Sequence, residues 1–157
     1  MSALEPTPLY RILIDADACP VTEIALSIAR EQGVPVVLVC DDAHHMSREG
    51  AETIIVQGGA DSVDFHLVNL LMHGDIVVTQ DYGLAAMCLA RGAKALHQDG
   101  WFYTSVNIDE LLMNRHVAQR FRQAGGRTKG PPKRNHAQDA AFARALRSAL
   151  TEEADML

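Results

Sequence analysis

Short apolar runs alternate along this chain with longer stretches whose apolar residues return every three or four positions. Ile12, Leu13 and Ile14 form a largely branched run that predicts a strand buried on both faces, and it stops at two acids, Asp15 and Asp17. Pro20 predicts the opening of a helix, because its missing N–H would have no partner at the first helical position anyway. Residues 21–32 then place Ile24, Ala25, Ile28 and Ala29 on one helical face, with Gly33 as terminator. Residues 36–40 predict a second buried strand, ending in Asp41 and Asp42, and residues 53–56 a third, broken by the glycines of QGGAD. Asp61 begins a helix expected to reach Met72, with Val63, Leu67, Leu70 and Leu71 inward and Gly74 closing it. Residues 76–79 form a fourth strand ending in Gln80 and Asp81, residues 82–91 a helix of small residues, and residues 94–97 a short fifth strand.

Strands alternating with helices of about a dozen residues predict a three-layer α/β domain on a parallel, Rossmann-like sheet. The last third changes character. Trp101, Phe102 and Tyr103 suggest a turn or hairpin lip, residues 108–123 a helix, and residues 137–150 a final helix carrying Phe142, Leu146 and Leu150. Between these C-terminal helices AGGRTKGPPKRN is too rich in Gly, Pro and charge to be anything but a loop, and the loop is assigned to 124–136 with the residue that follows it. Residues 1–157 are expected to form one domain, with 1–10 as an N-terminal extension.

At 157 residues the chain is long enough to bury a core without disulfides or structural metal. Aromatics are only 5%, so the apolar content rests on Ala, Val, Leu and Ile, which suits parallel strands under helices. A formal charge of −6 excludes coating of nucleic acid by bulk attraction and leaves room for a local basic patch. Cys19, Cys40 and Cys88 are odd in number and lack CxxC spacing, which points to reduced thiols. The first ten residues lack the basic and apolar regions of a secretion signal, and no apolar run approaches ~18 residues, so no membrane span and a cytoplasmic location are expected.

The acids fall at informative places. Asp15, Asp17, Asp41, Asp42 and Asp81 follow strands, and in a parallel sheet these strand ends share one edge. Asp61 and Asp64, three apart in the first turn of a helix that follows strand three, come to the same edge. Asp15 and Asp17, if both extended, lie about 6–7 Å apart on one side. Carboxylates brought together repel and raise each other's pKa unless a cation sits between them, and an oxygen-only set suits Mg²⁺ or Mn²⁺. Asp15, Asp17, Asp61, Asp64 and Asp81 are therefore the candidate metal ligands, with Asp15, Asp17 and Asp81 the candidate catalytic acids. Each also has a local role open to it: Asp17 or Asp81 as a helix cap, Asp61 and Asp64 as complements to a helix dipole. Asp75 precedes strand four, some 15 Å from Asp81 on the opposite edge, and is excluded. His44 and His45 beside Asp42 are weaker metal or phosphate candidates. His66, His73 and His116 lie in predicted helices without an HExxH partner, and Cys19 has no evident base.

Seven basic residues, Arg115, Arg120, Arg122, Arg127, Lys129, Lys133 and Arg134, fall in a span with no acid between Glu110 and Asp139. Arg127, Lys129, Lys133 and Arg134 are the candidate phosphate binders, and the glycines of GGRTKGPPK would let backbone amides approach an anion.

Taken together, DADACP, GGADSVD, GDIVVTQDYGLA and GGRTKGP resemble the YaiI/YqxD family, whose fold is similar to PIN-like nuclease domains. The resemblance runs from about Ile12 to Leu150. It implies that Asp15 matches the first PIN acid, Asp61 or Asp64 the helix-borne acid and Asp81 the acid after strand four, with Asp17 belonging to the family's own DxD. The position three after Asp81, acidic in many PIN domains, is Leu84 here. The leading expectation is a Mg²⁺- or Mn²⁺-dependent nuclease acting on RNA or single-stranded nucleic acid. An apolar strand followed by DxD also resembles haloacid-dehalogenase-like phosphatases, with Asp15 as nucleophile and Asp17 as acid/base, although Cys19 departs from that motif. A non-catalytic nucleic-acid or protein-binding module of the same fold is the third alternative.

Overall fold

Alternation along the buried strands decides the layering. In a computed structural model that describes residues 10–17, 19–41, 48–127 and 133–155, Ile12 and Ile14 of β1 (Ile12–Asp15) face one core while Leu13 faces another. The same division holds in β2 (Val36–Asp41), where Val36, Leu38 and Cys40 join Ile12, and Val37 and Val39 join Leu13. With β3 (Glu52–Val56), β4 (Ile76–Val78) and β5 (Lys94–Leu96) they form one all-parallel sheet in the order β3-β2-β1-β4-β5. Burial on both faces explains why the central strands read as unbroken apolar runs.

The first core is closed by α1 (Thr22–Gln32) and α5 (His136–Asp155), through Ala25, Ile28, Phe142 and Leu146. The second is closed by α2 (Ala60–Leu70) and α3 (Tyr82–Ala90), through Val63, Leu67, Leu84 and Cys88. These are the three layers expected. The fifth helix in space, α4 (Ser105–Gln123), lies outside them, with Ile108 packed among Ala85, Ala95 and Tyr103. Among the described residues no helix is long and apolar enough to cross a membrane. Cys19, Cys40 and Cys88 are all free thiols.

Several element ends differ from expectation, each for a local reason. Pro20 sits in a turn and α1 starts at Thr22, whose hydroxyl donates to the Cys19 carbonyl at 3.3 Å. The helix expected to reach Met72 stops at Leu70, because Leu71 is extended and the Met72 N–H donates to the Asp75 carboxylate. Helix α4 begins earlier than expected, at a capping box in which Thr104 and Asn107 satisfy each other's backbone N–H groups. Tyr10, assigned to the extension, is buried and its hydroxyl donates to the Leu150 carbonyl. The lip expected at 101–103 is the returning side of a turn at 98–100: Leu96 and Phe102 pair antiparallel, and Gly100 approaches α5 so closely that a Cβ there would lie 2.4 Å from the Ala141 backbone.

The glycines of AGGRTKG have a structural task. Gly125, at φ 93°, donates to the Arg122 carbonyl and Gly126 donates to the Phe121 carbonyl, which is a Schellman termination of α4. Their amides are therefore not offered to an anion, correcting that expectation; Gly130 lies outside the described residues.

Asp75 behaves as an acid on the wrong edge should. It is fully buried, and its carboxylate accepts from the Arg11 N–H (2.9 Å), the Arg11 guanidinium (3.1 Å) and the Met72 N–H (2.9 Å). Removing one partner of a buried ion pair leaves the other charge and two amides unsatisfied. Asp75→Ala is thus expected to cost about 3–5 kcal/mol in urea-induced unfolding; a loss below ~1 kcal/mol would show that this clamp is not structural.

Candidate active site

The chain leaves β1 toward β2 on one side of the sheet and leaves β4 toward β5 on the other, so the crevice between the carboxyl ends of β1 and β4 is the switch point of the sheet. Asp15 is the last residue of β1, and Thr79, Gln80 and Asp81 follow β4 directly. The Thr79 hydroxyl bridges the crevice: it donates to Asp15 Oδ2 at 3.0 Å and accepts from the Asp81 N–H at 3.0 Å. Asp81 in turn caps α3, its Oδ1 accepting from the Leu84 N–H at 3.1 Å. Leu84 itself, three positions after Asp81, is fully buried in the second core.

The acids feel one another. Asp15 is pushed up to about 6, first by burial and then by the charges of Asp17 and Asp81, while the Thr79 hydroxyl pulls it back. Asp64 is raised to about 7 by burial and by the charges of Asp81, Asp15 and Asp61. Asp61 is exposed whereas Asp64 is half-buried, so of the two helix-borne acids Asp64 is the one turned toward the crevice. Beneath them the Cys88 thiol is pushed up to about 12 by burial and by Asp64 and Asp15, which keeps it protonated and inert.

Asp17 departs from the expected pairing with Asp15 on one side. The chain turns after Ala16, and Asp17 Oδ2 accepts from the Asp41 N–H at 3.2 Å, toward β2, while Asp15 leans toward β4. It does not cap α1, whose N-cap Val21 has no side-chain bond. Among the described residues no group of three or more His, Cys, Asp or Glu side chains is drawn together tightly enough to hold a metal ion. The donor chemistry nevertheless fits a hard divalent cation, since Mg²⁺ is commonly held by one or two carboxylates with waters and substrate oxygens completing its shell. Asp15 and Asp64, whose proton affinity is raised first by burial and then by neighbouring negative charge, are the residues that would hold it.

The basic span divides in the structure. Arg134 binds Asp99 (2.7 Å), Asp139 (2.7 Å) and the Gln98 carbonyl (2.7 Å), tying the lip to the start of α5, so it is a structural clamp rather than the phosphate binder expected. Arg127 and Lys133 are exposed at either side of residues 128–132, and Lys129, like Asp42, His44 and His45, lies outside the described residues. His66 and His116 are exposed, and the ring of His73 packs over Gly92. Within the basic span, the cation that does adjoin the site is one outside the four candidate phosphate binders. Arg115 of α4 lines a shallow groove with Gln80, Asp81 and Tyr82, and the groove continues past Ala118 to Arg122. The i, i+7 spacing of Arg115 and Arg122 was the available signal.

A family model described as "Uncharacterized BCR, YaiI/YqxD family" matches residues 13–152. The chain is similar to a UPF0178 protein of Exiguobacterium sibiricum, 52% identical over 92% of this chain and 99% of that one. It is also similar to UPF0178 proteins of Ruminiclostridium cellulolyticum (48% identical, 87% of this chain and 89% of that one) and Natranaerobius thermophilus (46%, 90% and 97%). No solved structure matches the chain.

Because the folded pKa of Asp15 is raised, the folded protein holds a proton that the unfolded chain has already released between about pH 4 and pH 6. Stability therefore falls as pH rises through that window, by on the order of 2–3 kcal/mol from this group. Asp15→Asn, which keeps an acceptor for Thr79, is expected to flatten that fall and to raise the unfolding midpoint at pH 8. A variant less stable than the parent at pH 8, with an unchanged pH slope, would show that Asp15 is not under electrostatic strain.

Proposed function

This chain belongs to the YaiI/YqxD family, and from that premise and the geometry of the crevice we propose that it is a metal-dependent phosphodiesterase with a PIN-like fold, acting on RNA or single-stranded nucleic acid. The single observation that carries the reading is convergence at the switch point of the sheet: the Thr79 hydroxyl ties Asp15 to the backbone of Asp81, and Asp64, more than forty residues from Asp15, is raised to about 7 first by burial and then by the charges of Asp81 and Asp15. Mg²⁺ or Mn²⁺ held there would orient a water for in-line attack and stabilise the leaving oxygen.

The chain's own residues have separable tasks. Asp15 and Asp64 would hold the ion, with Asp81 Oδ2, which makes no hydrogen bond among the described residues, facing the same crevice. Thr79 fixes the rotamer of Asp15 and the backbone of Asp81 with one hydroxyl, so it is a positioning residue. Arg115 and Arg122 offer guanidinium groups along the groove that leads away from Asp81, where the phosphates flanking the scissile one would lie. A net charge of −6 with this local basic strip favours an extended strand lying along the groove over a duplex bound through bulk attraction. Asp17 accepts from the Asp41 N–H and is the first of the charges that raise Asp15, so it belongs to the same acidic neighbourhood.

The reading is tested with end-labelled single-stranded RNA in Mn²⁺. The parent is expected to cleave, chelation to abolish cleavage, and Asp15→Asn with Asp81→Asn to reduce it by at least roughly a hundredfold. Equal activity in parent and double variant would defeat it. RNA binding without cleavage, surviving chelation and weakening with salt, would select the non-catalytic module instead.

A further inference from the structure

Helix α4 is apolar on the wrong side. It packs onto α3 and Tyr103 through Ile108 and Leu111, yet Val106, Met113 and Val117 are 80%, 60% and 58% exposed. At about 100° per residue these three fall within ~40° of one line, on the side of the helix opposite Ile108. A helix docked by one face ordinarily presents charge on the other. Here Glu110 and Arg120 complete the same stripe, both exposed and neither in an ion pair among the described residues.

The order of residues along this stripe singles out the occupant. Positions 106, 110, 113, 117, 120 and 124 advance by alternating steps of four and three, the spacing of a helix–helix seam. The seam is self-complementary when reversed about position 115. Val106 then faces Ala124 of a second copy, Met113 faces Val117 and Glu110 faces Arg120. A parallel pairing would instead set Glu110 on Glu110 and Arg120 on Arg120, which is repulsive at both places. A two-fold axis requires this kind of reciprocity, in which each residue meets its complement twice.

We propose that α4 forms the interface of a two-fold symmetric homodimer, in which two copies of the helix pack antiparallel through Val106, Glu110, Met113, Val117 and Arg120. The helix is 19 residues long, about 28 Å, so the seam alone lies at the small end of stable interfaces and gives a dimer with a roughly micromolar dissociation constant. Arg115 and Arg122 lie about half a turn around the helix from the seam, and the groove beside Asp81 stays open in the dimer.

Sedimentation velocity on the full chain from roughly 1 to 200 μM tests the proposal. The parent is expected to pass from monomer to dimer across that range. Glu110→Arg and Arg120→Glu, each creating two like-charge contacts, are expected singly to weaken association at least about tenfold, and together to restore it to within about threefold of the parent. Val117→Glu, which sets a carboxylate opposite Met113 of the other copy, is expected to leave a monomer whose far-UV circular dichroism matches the parent's. A parent that stays monomeric throughout, a dimer indifferent to the single reversals, or a double reversal that fails to recover would each overturn it.

Discussion

The register of β1 against β4 is the constraint on which the rest of the molecule depends. Ile12, Leu13 and Ile14 lie opposite Ile76, Val77 and Val78, and a slip of one residue would exchange the two cores. Polar groups pin that register at both ends. At the amino edge the Asp75 carboxylate holds the backbone and guanidinium of Arg11, and at the carboxyl edge the Thr79 hydroxyl holds Asp15. The buried ion pair and the acidic crevice are thus opposite ends of one pair of strands, and what secures the first also fixes the spacing in the second.

The crevice itself works against stability. Burial and mutual repulsion lift Asp15 and Asp64, and the Thr79 hydroxyl only partly offsets this for Asp15. The apolar cores on either face of the sheet hold these carboxyls in place regardless, since Ile14 and Val78 beside them are almost wholly buried. A rigid scaffold that maintains an unfavourable cluster of like charges is a frequent property of functional sites, where stability and activity are in tension.

Much of this was legible from residue pattern. Strand and helix type follow from periodicity, and the separation of Asp75 from Asp81 follows from their places before and after β4. The strand order was not, because connection length does not say on which side of β1 a strand will pair. Thr79 escaped notice because a hydroxyl at a strand end carries no charge to flag it; its importance lies in two hydrogen bonds that need the coordinates of β1 and α3. Extended backbone continuing through residue 17 would set Asp17 and Asp15 on one side, whereas the chain turns after Ala16. The glycines of AGGRTKG and the guanidinium of Arg134 looked like an anion site by composition, but backbone carbonyls and the carboxylates of Asp99 and Asp139 claim them first. Composition cannot rank a distant intramolecular partner against an external one.

Direct observation of the aspartate carboxyl carbons by ¹³C NMR, titrated from pH 3 to pH 9 with and without Mg²⁺, bears on the crowded crevice more closely than any other measurement. Two carboxyls, assigned through Asp15→Asn and Asp64→Asn, are expected to titrate near 6 and near 7 without the cation and to move toward the ordinary aspartate range when it is added. Titration of both near the ordinary value, indifferent to Mg²⁺, would contradict a crevice in which converging acids await a positive charge.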